Sequence, residues 1–226
     1  MKRIFSLFLI FVLLILTACE SREEVVLSAT IAVEIKQYSQ ISDVRTVDFE
    51  YLEVIGLTDT GVAQRLNEEL EAFCIRVSSN AEYNDKNITG TVEYAVVGYT
   101  YLSVRVNTSV FADGMAYPNN DFYAGTFDLR TGKIINNISA FVEVGDDLQL
   151  TIETGVFKQI YPETIIDYAV EVLADEFDKD INFYLTKDGI GLFLTGRSHA
   201  EGSYWIFEAT YGDINKLLTH ELLLMI

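Results

Sequence analysis

Along this chain the spacing of apolar positions switches between two and three-to-four, and each switch marks a change of element. Apolar and polar residues alternate over 27–38 (Ile31, Val33, Ile35) and over 46–55 (Val47, Phe49, Tyr51), which predicts two strands. The period then lengthens. Residues 57–77 place Leu66, Leu70 and Phe73 three and four apart behind capping candidates at 58–60, which predicts an amphipathic helix. Residues 89–112 are rich in Val, Tyr and Thr and are broken only by Gly90 and Gly98, so they suit one long bent strand or an antiparallel pair. A further strand over 121–137 closes on a turn at Thr131-Gly132. Residues 145–177 read as two helical stretches, with Gly155 weakening the first and Pro162 placed to open the second. Three short strands follow over 182–212, with Lys187-Asp188-Gly189 as a hairpin link, and a last helix is expected from Asp213. Hairpin links are frequent and strands do not alternate strictly with helices. The expected class is α+β, with mainly antiparallel sheets and packed helices.

The first residues belong to another pattern. Lys2 and Arg3 precede an apolar run from Ile4 to Leu16 that is shorter than the roughly 20 residues a membrane-spanning helix requires. This is the layout of a secretory signal. Its closing residues Leu16, Thr17, Ala18 and Cys19 resemble the lipobox of bacterial lipoproteins, which implies lipid attachment at Cys19 and removal of residues 1–18. Several acyl chains hold a soluble domain durably, at about 0.8 kcal/mol per buried methylene. The resemblance implies anchoring at the outer face of the bacterial cytoplasmic membrane, and no cytosolic segment is expected ahead of the apolar run.

The formal charge is −18; loss of Lys2 and Arg3 with the signal leaves 14 basic residues against 34 acidic, or −20. Such a surface disfavours nucleic acid and speeds encounter with cationic partners through a field that salt screens. Cys74 has no partner once Cys19 carries lipid, and it falls on the apolar side of the expected helix. A buried, inert thiol is expected there.

Two stretches carry a resemblance to a family. Residues 49–73, FEYLEVIGLTDTGVAQRLNEELEAF, are similar to the helix region of the deacetylase PdaC-type N-terminal domain. DGMAYPNNDFYAGTFDLRTGKII followed by NFYLTKDGIGLFL resembles the domain of unknown function that succeeds it in the extracytoplasmic part of RsiV-like anti-sigma factors. Behind the signal over 1–18 and a polar stretch that reads as a tether, 19–27, the resemblance implies two small α+β modules in tandem over 28–110 and 111–226. It also implies a recognition role: the anti-sigma members bind lysozyme. The implied partner is therefore a cationic, lysozyme-like protein or cell-wall peptidoglycan. Two loops depart from the family: Asp113–Tyr117 lacks the usual histidine, and 196–201 reads GRSHAE.

Candidate chemistry is sparse. His199 and His220 are the only histidines. Ser198, His199 and Glu201 are neighbours in sequence, but adjacent residues of an extended chain point apart, so they read as a polar loop rather than a catalytic set. Asp178, Asp180 and Asn182 have the alternate spacing of a calcium loop, yet Phe183 and Gly189 occupy the positions that need Gly and Glu. No metal and no cofactor are expected. Binding candidates are Asp113, Tyr117, Asp121, His199, Glu201, Tyr204 and Trp205. Tyr204, Trp205, Phe207 and Tyr211 alternate along one strand and are expected mostly in the core, with a surface aromatic at Tyr204 or Trp205 as the other reading. A peptidoglycan-acting enzyme using Asp113, Asp121 and Glu201 with His199 is the alternative.

Overall fold

The computed structural model describes residues 31–162, 168–177, 181–196 and 203–226. Cys19, His199 and Glu201, with the expected signal and tether, lie outside the described residues. Among the described residues ten strands form two sheets, mainly antiparallel, and four helices pack on them, so the α+β expectation holds.

The first sheet runs in order β1 (Ala32–Ile41), β2 (Thr46–Ile55), β3 (Asn87–Val97), β4 (Tyr101–Phe111), β5 (Asn119–Asp128) and β6 (Lys133–Ile135). All neighbours are antiparallel except β2 and β3. The stretch 89–112 resolves into the antiparallel pair β3–β4, because Gly98 and Tyr99 both take positive φ (57° and 54°), the geometry of mirror-image hairpin turns. The division expected at 110/111 falls between the last two residues of β4, which pairs with β5 in this sheet.

Helix α1 (Thr60–Cys74) starts where Asp59 accepts hydrogen bonds from the amides of Gly61 and Val62. It buries Leu66, Leu70 and Cys74 against one face of the first sheet. Its Asn67 side chain pairs with both the N–H and the C=O of Val54, fixing the helix on β2. Burial pushes the Cys74 thiol up to about 12, as expected of an inert cysteine.

The second sheet, in order β7 (Lys158–Tyr161), β10 (Tyr204–Thr210), β9 (Gly189–Thr195) and β8 (Asn182–Leu185), covers the other face of the first. Tyr184, Phe193, Tyr204 and Ile206 meet Phe122 between the sheets, while Phe183, Leu192, Trp205 and Phe207 face outward under α2 (Asp146–Glu153) and α3 (Ala169–Glu176). The Ser103 hydroxyl links the two sheets: it accepts the Leu185 amide at 2.8 Å and lies 3.0 Å from the Thr126 hydroxyl, all three buried.

Two expectations are corrected. The region 145–177 contains strand β7 between its helices, because α2 stops at Thr154 and Gly155 (φ 70°) turns the chain back to pair with β10. From Asp213 the chain forms successive turns, and only α4 (His220–Leu223) is helical. Ile214, Leu217 and Leu218 are drawn into the core beneath the second sheet, and Leu218 pairs with Val142, so Thr219 caps a fresh, short helix.

Candidate functional site

One row of strand register crosses the first sheet: Gln40 opposes Val47, Val47 opposes Ile88, Ile88 opposes Val110, and Val110 opposes Asn119. The β1–β2 turn and the β4–β5 loop therefore emerge at the same end. At about 4.8 Å per strand spacing, the three spacings between them separate them by roughly 14 Å. The chain enters β1 at the opposite end, about 33 Å away for strands of this length.

The loop end is held by backbone capture. Ser42 closes the β1–β2 turn by accepting the amides of Val44 and Arg45. Arg45 donates to the carbonyls of Ser78 and Tyr83, tying that turn to the short helical turns after α1. In the β4–β5 loop the Met115 amide donates to the Ala112 carbonyl, and Gly114 takes φ 90°. Between them these segments expose Ile41 (79%), Val44 (70%), Phe111 (41%) and Tyr117 (81%). Asp43, Glu82, Asp85, Asp113 and Asp121 stand on the same segments.

The sequence candidates divide accordingly. Asp113 and Tyr117 share the loop, and Asp121 lies at the start of β5 just below it. Tyr204 is 8% exposed and is sandwiched between Tyr161, with centroids 4.4 Å apart, and Phe122, 5.2 Å apart. Trp205 is 1% exposed and lies in the core under α3, so neither residue is a surface aromatic. Burial raises the Tyr204 hydroxyl's pKa, and this hydroxyl donates to Asn107.

Below the loops, Asp121 and Phe122 of β5 come against Phe193 and Thr195 of β9, forming a cleft of about 250 Å³ with Arg76, Asn136 and Asn182 at its rim. Arg76 lies outside α1 and gave no periodic signal. A larger open cleft, about 840 Å³, lies between β3–β4 and the second sheet. There Arg105 bridges Glu93 and Glu208, with its guanidinium over the Tyr184 ring, while the Tyr184 hydroxyl donates to Glu208 at 2.6 Å. Gly191 allows this, since a Cβ there would meet the Tyr184 ring at 2.1 Å. No residue of that network was singled out by the sequence, whose periodicity does not show pairings between separate strands. Among the described residues no group of three His, Cys, Asp or Glu could hold a metal ion.

No family model matches the chain, and no curated protein matches it. Its fold does have solved counterparts. A DUF3298 family member from Bacteroides fragilis superposes with a TM-score of 0.54 at 15% identity, over 86% of this chain and 96% of that one. A DUF3298 family protein from Pseudomonas aeruginosa gives 0.55 at 9% identity, over 87% and 98%. At these identities the likeness is one of fold: the chain has the architecture of DUF3298 proteins.

Proposed function

We propose that this chain is a lipid-anchored recognition protein on the outer face of a bacterial cytoplasmic membrane, docking a basic extracellular protein through its loop end. The observation that carries the reading is the exposure of Ile41, Val44, Phe111 and Tyr117, among acidic residues, at the one end of the sheet remote from the entering chain. Apolar and aromatic anchors ringed by charge are what a protein partner buries at the centre of an interface. Residues 20–31 can span at most about 40 Å when extended, which exceeds the length of the sheet, so a lipid on Cys19 leaves the loops room to reach a partner outside the cell. The strongly acidic surface supports a cationic partner, and the RsiV-like resemblance makes a lysozyme-like enzyme the first candidate.

The test is a biosensor titration with lysozyme as the basic probe, comparing wild type with Val44→Asp and Tyr117→Ala. The reading expects both variants to lose at least about tenfold in affinity, roughly 1.4 kcal/mol. Wild-type affinity in both would remove the loop end from the interface. A cell-wall glycan is the second reading, favoured by the larger cleft with its Thr154, Thr186 and Thr210 side chains and its ionised residues. Arg105→Ala would abolish binding to purified glycan on that reading and leave lysozyme binding unchanged.

A further inference from the structure

The smaller cleft below the loops contains opposite charges that do not meet. Arg76 lies with its guanidinium carbon 3.8 Å from the Tyr123 ring centroid and 5.0 Å from that of Phe73. The Tyr123 hydroxyl donates to the Cys74 carbonyl at 2.6 Å, so the ring on which the guanidinium rests is itself fixed. Stacking covers the flat face of Arg76 and leaves its N–H edges directed elsewhere. Among the described residues none accepts a hydrogen bond from this guanidinium or pairs with it as an ion. Although the residue remains open to solvent, crowding around its head group lowers its pKa through lost water, opposed by Tyr123 and Asp121.

Asp121 lines the same cleft and lies within electrostatic reach of Arg76, but no ion pair joins them. One Asp121 oxygen accepts the Phe122 amide, which orients the carboxylate. A preset guanidinium and a preset carboxylate on one concave surface, separated rather than joined, match a ligand that carries both charges itself. We infer that this cleft binds a small zwitterion of the free amino-acid class, its carboxylate on the Arg76 fork and its ammonium toward Asp121. The volume of about 250 Å³ corresponds to roughly eight water molecules at about 30 Å³ each, which suits a single amino acid. A residue inside a peptide carries neither charge, and a chain terminus carries only one, so the free molecule is the species selected.

The inference stands apart from protein docking, because its test needs no partner. L-alanine is titrated at constant ionic strength while the Arg76 side-chain Nε–H resonance is followed by NMR, with Arg76→Lys and Asp121→Asn alongside. The Trp205 fluorescence reports that each variant is folded, since that ring is buried. A saturable shift in wild type is expected, with affinity for alanine falling at least about tenfold in both variants, read in Arg76→Lys from the neighbouring Tyr123 amide. A shift that stays linear to about 10 mM, the same shift with sodium chloride, or wild-type affinity in folded Asp121→Asn would overturn it.

Discussion

Replacing Ser103 with Ala tests what joins the two sheets. Its hydroxyl is the acceptor for the Leu185 amide of β8 and the partner of the Thr126 hydroxyl, and both Ser103 and Thr126 are buried. Without it the Leu185 amide loses that acceptor in a space closed to water. An unsatisfied buried group costs about 1–3 kcal/mol. The buried Thr126 hydroxyl loses its partner as well, and about 2 kcal/mol is expected, close to a 30-fold shift in the folding equilibrium. Urea unfolding followed by Trp205 fluorescence measures this as a lower midpoint with an unchanged slope. Adding Thr126→Val removes the second hydroxyl together with its need for a partner, so the double variant should cost less than the two singles summed, by about 0.5–1.5 kcal/mol. A Ser103→Ala protein within about 0.5 kcal/mol of wild type, or strict additivity in the double variant, would refute the view that this contact locks the sheets.

Three further outcomes follow from the packing of the core. Gly90→Ala places a Cβ at 2.2 Å from the buried Phe49 ring, and overpacking of this kind should lower stability by about 1–3 kcal/mol in the same urea assay. Alkali should unfold the protein through groups kept neutral in the fold. Burial, with a hydrogen bond to Glu221, raises Tyr101 from 10 to about 12, and burial raises Cys74 from 9 to about 12. Their stabilisation is complete below pH 9 and is lost as pH climbs toward 12, so the urea midpoint should fall across that window and be flat from pH 7 to 8. In the native state Cys74 should resist a thiol reagent at pH 8 and react at the rate of global unfolding.

Much of the scaffold was legible because one-sided burial writes itself into the sequence. β2 alternates buried and exposed positions, α1 buries Leu66, Leu70 and Cys74 at helical spacing, and Asp188-Gly189 turns the β8–β9 hairpin. Where both faces are covered the alternation carries no direction. Tyr204 and Trp205 point to opposite sides of β10, and each side is core, so neither is a surface aromatic. β7 has only four residues and takes its shape from pairing with β10, which local pattern does not encode. The tail from Asp213 has helix-like spacing, but its apolar residues are used individually to seal the core. The candidate site was half visible. Asp113, Tyr117 and Asp121 are close in sequence and turn residues mark their loop, whereas Ile41, Val44 and Arg76 join them only through the order of strands in the sheet.

Hydrogen exchange measured on the full chain with and without saturating lysozyme addresses the central claim most directly. Slowed exchange confined to 41–45, 76–86 and 111–121, with the turn at 97–101 unchanged, is the result the account requires. Protection centred on 97–101 and 128–133, or no protection anywhere under conditions where binding is verified, would contradict it.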